Sequence, residues 1–219
     1  MDAIFRDTRQ ALHVSFLILS TDPRAKNVFR TALIRIMEIQ PTLTRRQREW
    51  LDQLIGDVSD STVNFGGLSG DDVRAQCAEV VSAVHSKLAS IERWTVLARF
   101  GQMGDERLPD GVKRYFFLQE RAEAIQNLSA WLAPSFDGVS TMALDCILAR
   151  LFANHAKVDI SFRDLAKSFG ASHMTYKRAY DKINLRMREL EKRAIDQLTP
   201  YFENTGLIEP TDKPATIEA

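Results

Sequence analysis

SFRDLAKSFGASHMTYKRAYDKINLRMRELEKR, residues 161–193, holds two helical patterns separated by Gly170-Ala171-Ser172. Ser161 suits a helix start because its hydroxyl can accept an unused backbone N–H, and Asp164 stands three residues on, at the reciprocal position of a capping box. Leu165, Ala166 and Phe169 then share one face. Ala166 is small where two helices would cross closely, and Gly170 permits a sharp turn four residues later. Ser172 caps a second helix with Tyr176, Ala179 and Ile183 inward, which leaves Ser172, His173, Thr175, Lys177 and Arg178 outward near its N-terminal end. The spacing predicts a helix-turn-helix, in which the first turns of the second helix are offered to a groove.

Charge supports that expectation. The whole chain has 29 basic and 29 acidic residues, so attraction to a polyanion must come from distribution and not from the total. Between Ser161 and Arg193 nine basic residues face four acidic ones, a local excess of five. Lys177 and Arg178 are candidates for base or phosphate contacts, and His173 and Thr175 for base edges. Arg163, Lys167 and Lys182 complete the candidate DNA-binding set with Ser172, with Arg163 and Lys167 assigned to the phosphate backbone. A helical hairpin with a solvated basic face is the plainer alternative.

Working outward, apolar residues recur at helical spacing and strand signals are almost absent, which predicts an all-α, multi-helix bundle. A helix is expected over residues 2–20, with Ile4, Phe5, Leu12, Phe16 and Leu19 inward. Others are expected from Asp22-Pro23 to Pro41 and from the capping pair Thr44 and Gln47 to Ile55. Residues 57–69, with Gly66-Gly67, read as a loop; after them Val73, Cys77, Val80, Val81, Val84 and Leu88 mark a strong stripe. Ile91 to Phe100 forms a shorter helix, which Gly101 would end in a left-handed cap. A polar loop through Asp110 leads to a helix from Val112 to Leu132, and Ser140 starts another with Met142, Leu144, Ile147, Leu148, Leu151 and Phe152. The expected organisation is an N-terminal helical segment (1–60), a central helical domain (61–139), the helix-turn-helix region (140–199) and a flexible, proline-containing tail (200–219).

The run Ile91-Glu92-Arg93-Trp94-Thr95-Val96-Leu97-Ala98-Arg99-Phe100-Gly101 resembles the start of the promoter-reading C-terminal region of bacterial sigma factors. Together with Asn64-Phe65-Gly66-Gly67-Leu68-Ser69, Val73-Arg74-Ala75-Gln76-Cys77-Ala78 and the distal helix-turn-helix, it is similar to the phage Q-type late-gene antiterminators, over residues 64–193. The resemblance implies a factor that binds double-stranded DNA near a promoter, engages RNA polymerase with its sigma factor, and permits read-through of terminators. Trp94, Arg99 and Phe100 are candidates for a polymerase contact, with a place in the core the plainer reading of Trp94 and Phe100. The paired-cysteine zinc motif of one branch of that family is missing.

Other chemistry finds little support. The two cysteines and four histidines show no metal-ligand spacing, so no metal or cofactor is expected. No phosphate loop or nucleophile elbow occurs, and the acidic pairs Asp71-Asp72 and Asp105-Glu106 lack nuclease-like partners, so the expectation is a non-enzyme. The run Val14–Leu19 falls short of the roughly 20 apolar residues that a bilayer needs, and the chain is expected in the cytoplasm, without a membrane partner. Arg45, Arg46 and Arg48 form a second basic cluster. A repressor, a sigma-like activator, and an adaptor that inhibits a host complex by protein contacts alone remain alternatives, and the sequence leaves the oligomeric state open.

Overall fold

The computed structural model describes residues 3–20, 70–107, 113–153 and 160–210. The helices expected over 22–41 and 44–55, the loop at 57–69 and the Arg45 cluster lie outside the described residues. The elements are α1 (Thr8–Leu19), α2 (Gly70–Lys87), α3 (Ser90–Phe100), β1 (Met103–Arg107), β2 (Lys113–Phe117), α4 (Gln119–Leu132), α5 (Thr141–Phe152), α6 (Phe162–Phe169) and α7 (His173–Asn204). A single turn of 3-10 helix, Ala133–Ser135, follows α4. Among the described residues the fold is thus helical apart from one hairpin, and no helix is long and apolar enough to cross a membrane. The chain divides into two compact units, Met1–Lys87 with Ile195–Ala219, and Leu88–Ala194.

In the first unit α1 starts at Thr8 and not at residue 2. Asp7 caps it, accepting from the backbone N–H of Gln10 at 2.8 Å. Ile4 and Phe5 precede the helix, and Phe5 forms a parallel bridge to Ile208, its N–H donating to the carbonyl of Leu207 at 3.0 Å. α2 buries Val73, Cys77, Val80 and Val84 of the expected stripe, with Val81 half-buried, and packs against α1; Leu88, the last residue of that stripe, lies beyond the helix and belongs to the second unit. Burial pushes the Cys77 thiol up to about 11. The flexible tail expected from residue 200 does not begin there. α7 passes through Pro200 to Asn204, and Leu198, Phe202, Leu207 and Ile208 are buried. An internal proline costs a helix ~3 kcal/mol. Burying Leu198 and Phe202 on either side contributes ~2 kcal/mol each and offsets it.

The second unit is built on α3, α4 and α5, with α3 packed on α4 and α4 on α5. Its core includes Val96, Phe100, Ile125, Leu128, Leu132, Leu144, Ile147 and Leu148. Ser140 caps α5 as its position suggests, but Met142 does not join the core and is 68% exposed. The helix expected from Val112 begins only at Gln119, because Lys113–Phe117 pairs antiparallel with Met103–Arg107. Gly104 stands opposite Phe116, whose ring fills the place where a Cβ would sit.

Gly101 is not the left-handed cap expected, since its φ is −58°. A Cβ there would stand 2.3 Å from the Leu97 carbonyl and 3.1 Å from the Cβ of Arg121. The glycine instead makes room for Arg121, a buried cation that ties three elements together. Its guanidinium donates to the carbonyls of Ala98 in α3, at 2.9 Å, and Phe152 in α5, at 2.7 Å, and lies over the Phe117 ring of β2 at 4.9 Å. Both carbonyls belong to last helical turns, where acceptors go unused and the helix dipole favours a cation. Burial, and then the charge of Arg99, lower its pKa to about 10, still far above neutrality.

Candidate nucleic-acid interface

α6 and α7 are joined as the local sequence dictates. Ser161 accepts from the backbone N–H of Asp164 at 3.1 Å and starts α6. At its other end Gly170 has φ +85°, and its N–H donates to the carbonyl of Ala166 at 3.0 Å. That left-handed conformation is natural to glycine and costs other residues ~1–2 kcal/mol. Ser172 then accepts from the backbone N–H of Thr175 at 3.2 Å, beginning α7. Leu165, Tyr176, Ala179 and Ile183 are buried, and Ala166 and Phe169 are half-buried, so the inner face is the one the pattern specifies.

Arg150 of α5 sets the two helices in place. Its guanidinium lies 4.7 Å from the ring centroid of Phe162, at the start of α6, and 6.0 Å from that of Tyr180 in α7. The two rings meet edge to face at 5.5 Å, and Arg150 also donates to the carbonyl of Ile160. Further along α7, Arg186 stacks on Trp131 of α4 at 4.0 Å, and Glu191, buried, pairs with Arg99 of α3 at 3.1 Å. These contacts are not legible in helical periodicity, in which Arg and Glu count as surface residues. The aromatic residues flanking them, Phe162, Tyr180 and Trp131, were the available signal.

Of the candidate site residues, Arg163 and Lys167 on α6 and Ser172, His173, Lys177, Arg178 and Lys182 at the start of α7 are exposed. Thr175 is half-buried, its hydroxyl 3.0 Å from that of Ser172, so the cap and not an outside ligand holds it. None of the five cations has a hydrogen-bond or ion-pair partner among the described residues. With Arg186 and Glu191 turned toward the fold, the excess of five positive charges over residues 161–193 is carried by exposed side chains alone. In water such cations cost nothing to leave unpaired. Brought against a polyanion, they release its counterions.

The candidate polymerase contact is only partly on the surface. Phe100 is core and Arg99 is held by Glu191 and by the ring of Phe152 at 4.9 Å, while Trp94 is half-buried. Among the described residues no three His, Cys, Asp or Glu side chains gather as a metal ion would need. On α5, burial raises the pKa of the Asp145 carboxyl, partly countered by the Ser129 hydroxyl. No protein-family model and no curated protein matches the chain.

Proposed function

We propose that the protein is a non-enzymatic, cytoplasmic regulator of transcription that binds double-stranded DNA through a helix-turn-helix formed by α6, Gly170 and the start of α7. One observation carries this reading: a left-handed glycine turn between capped helices, with five exposed cations on its outer side that have no partner among the described residues. A groove accepts a helix whose first turns are exposed and cationic, and phosphates flank it on both sides. Lys177 and Arg178 then enter the groove with His173, Arg163 and Lys167 meet the backbone, and Lys182 follows the phosphates as the helix leaves. Thr175 and Ser172 are assigned to holding the helix start.

The resemblance of residues 64–193 to Q-type antiterminators makes RNA polymerase, with its sigma factor, the proposed protein partner and terminator read-through the proposed output. With Arg99 and Phe100 committed to the fold, that partner contact is left to other surfaces.

The deciding experiment is fluorescence anisotropy on a labelled random-sequence duplex, followed by selection of preferred sites from a duplex library. Three phosphate contacts, by Arg163, Lys167 and Lys182, give a slope of log affinity against log salt of about −2.7. Lys177→Ala with Arg178→Ala should abolish selection while the variant stays folded. A wild-type chain that binds duplex without salt dependence, or not at all, rejects the reading in favour of a protein-only adaptor. Transcription with purified polymerase, from a template bearing a selected site upstream of a terminator, separates read-through from repression.

A further inference from the structure

The first three turns of α7 present outward His173, Met174, Lys177, Arg178, Asp181 and Lys182. Every one of these but Met174 is ionisable. Met174 is 41% exposed, and Lys177 and Arg178, three and four residues on, lie on the same face of the helix. Its thioether contributes nothing to the buried stripe, which runs through Tyr176, Ala179 and Ile183. A surface that met only phosphate oxygens would have no use for it.

Resting on the DNA reading above, we infer that Met174 reads sequence by packing against the 5-methyl group of thymine in the major groove. Among base edges in that groove the thymine methyl is the apolar feature, and apolar side chains recognise it. Thr175, which also carries a methyl group, is half-buried with its hydroxyl engaged by Ser172, while Ala171 is half-buried and Ala179 is buried, so Met174 is the exposed apolar side chain of this stretch. Methionine is unbranched and polarisable and adapts to a shallow methyl knob. The phosphate-facing cations Arg163, Lys167 and Lys182 supply affinity that is blind to sequence; Met174 adds discrimination at a thymine.

The test uses the full-length chain and the duplex it selects from a random library. Each thymine of that duplex is replaced in turn by deoxyuridine, which deletes the methyl and keeps the hydrogen-bonding edge. At one thymine the wild-type affinity should fall about fourfold, the value of one buried methyl-sized group. Met174→Ala should bind the unmodified duplex about fourfold more weakly and show no further loss on that deoxyuridine replacement. Leu185→Ala, which trims another exposed apolar residue of α7, should keep the wild-type response. Salt-dependent, site-selective binding with no thymine sensitive to demethylation, or with Met174→Ala as sensitive as wild type, overturns the inference and leaves the DNA reading standing. Absence of duplex binding by the wild type overturns both.

Discussion

Two groups of cations in the second unit differ in what they touch. Arg99, Arg121, Arg150 and Arg186 each have a protein partner: a carboxylate, a pair of carbonyls or an aromatic ring. Arg163, Lys167, Lys177, Arg178 and Lys182, on α6 and α7, have none among the described residues. The two groups differ in engagement and not simply in residue type: the inner four serve the fold, and the outer five are the ones proposed to meet DNA. The inner group consists of arginine alone, as expected where a planar cation must stack or bond two acceptors at once, while the outer group mixes lysine and arginine.

The sharpest break in that comparison is expected at Arg121. Arg121→Leu strips two last-turn carbonyls of their donor and should lower stability by ~3 kcal/mol, read by urea denaturation. The outer group should do the reverse. Lys177→Ala with Arg178→Ala should cost about a hundredfold in duplex affinity, with stability unchanged to within ~0.5 kcal/mol. If that double variant unfolds instead, the two groups are not distinct. Arg150 joins them, since it is engaged by the fold yet touches the aromatic side chains of both α6 and α7. Arg150→Ala should lose ~2 kcal/mol of stability and also weaken duplex binding, so both assays move together. Gly170→Ala has open space for its Cβ but the wrong backbone angle, and should cost ~1 kcal/mol in a thermal melt.

The smallest effect belongs to Asp145. Burial raises its pKa, so the folded chain keeps a proton that the unfolded chain gives up as pH climbs past the ordinary value of 3.8. Its contribution to stability is therefore best at low pH and falls as pH rises through the raised value. Asp145→Asn should melt above the wild type at pH 7, with the gap closing as pH falls toward 3.8.

The parts legible in the sequence were those governed by local rules. The stripe from Val73 to Leu88 needs only helical spacing, and Ser140, Ser161 and Gly170 act on backbone groups within a few residues. The outward set on α6 and α7 followed by subtraction once Tyr176, Ala179 and Ile183 were placed inward. What escaped depends on distant partners. Lys113–Phe117 reads as a helix start until Met103–Arg107 is there to pair with it, although Pro109-Asp110-Gly111 between them is turn-forming sequence. Arg121 is buried because two helix ends converge on it, and Phe202 continues α7 beyond Pro200 because a core is present to receive it. Met174 carries no charge, so the excess of cations around it does not mark it.

The bridge between Phe5 and Ile208 sets an order of assembly during synthesis. The second unit is one uninterrupted stretch, Leu88–Ala194, and every residue it needs has been added before translation reaches Ile195. The first unit is split around it, so Phe5, Leu12 and Val73 must wait for Leu198 and Phe202 to be made. Contacts of such long sequence separation are slow to form. The part made first therefore spends the synthesis of all of Leu88–Ala194 without its closing segment, and in a nascent chain it is the part that a chaperone would meet unfinished.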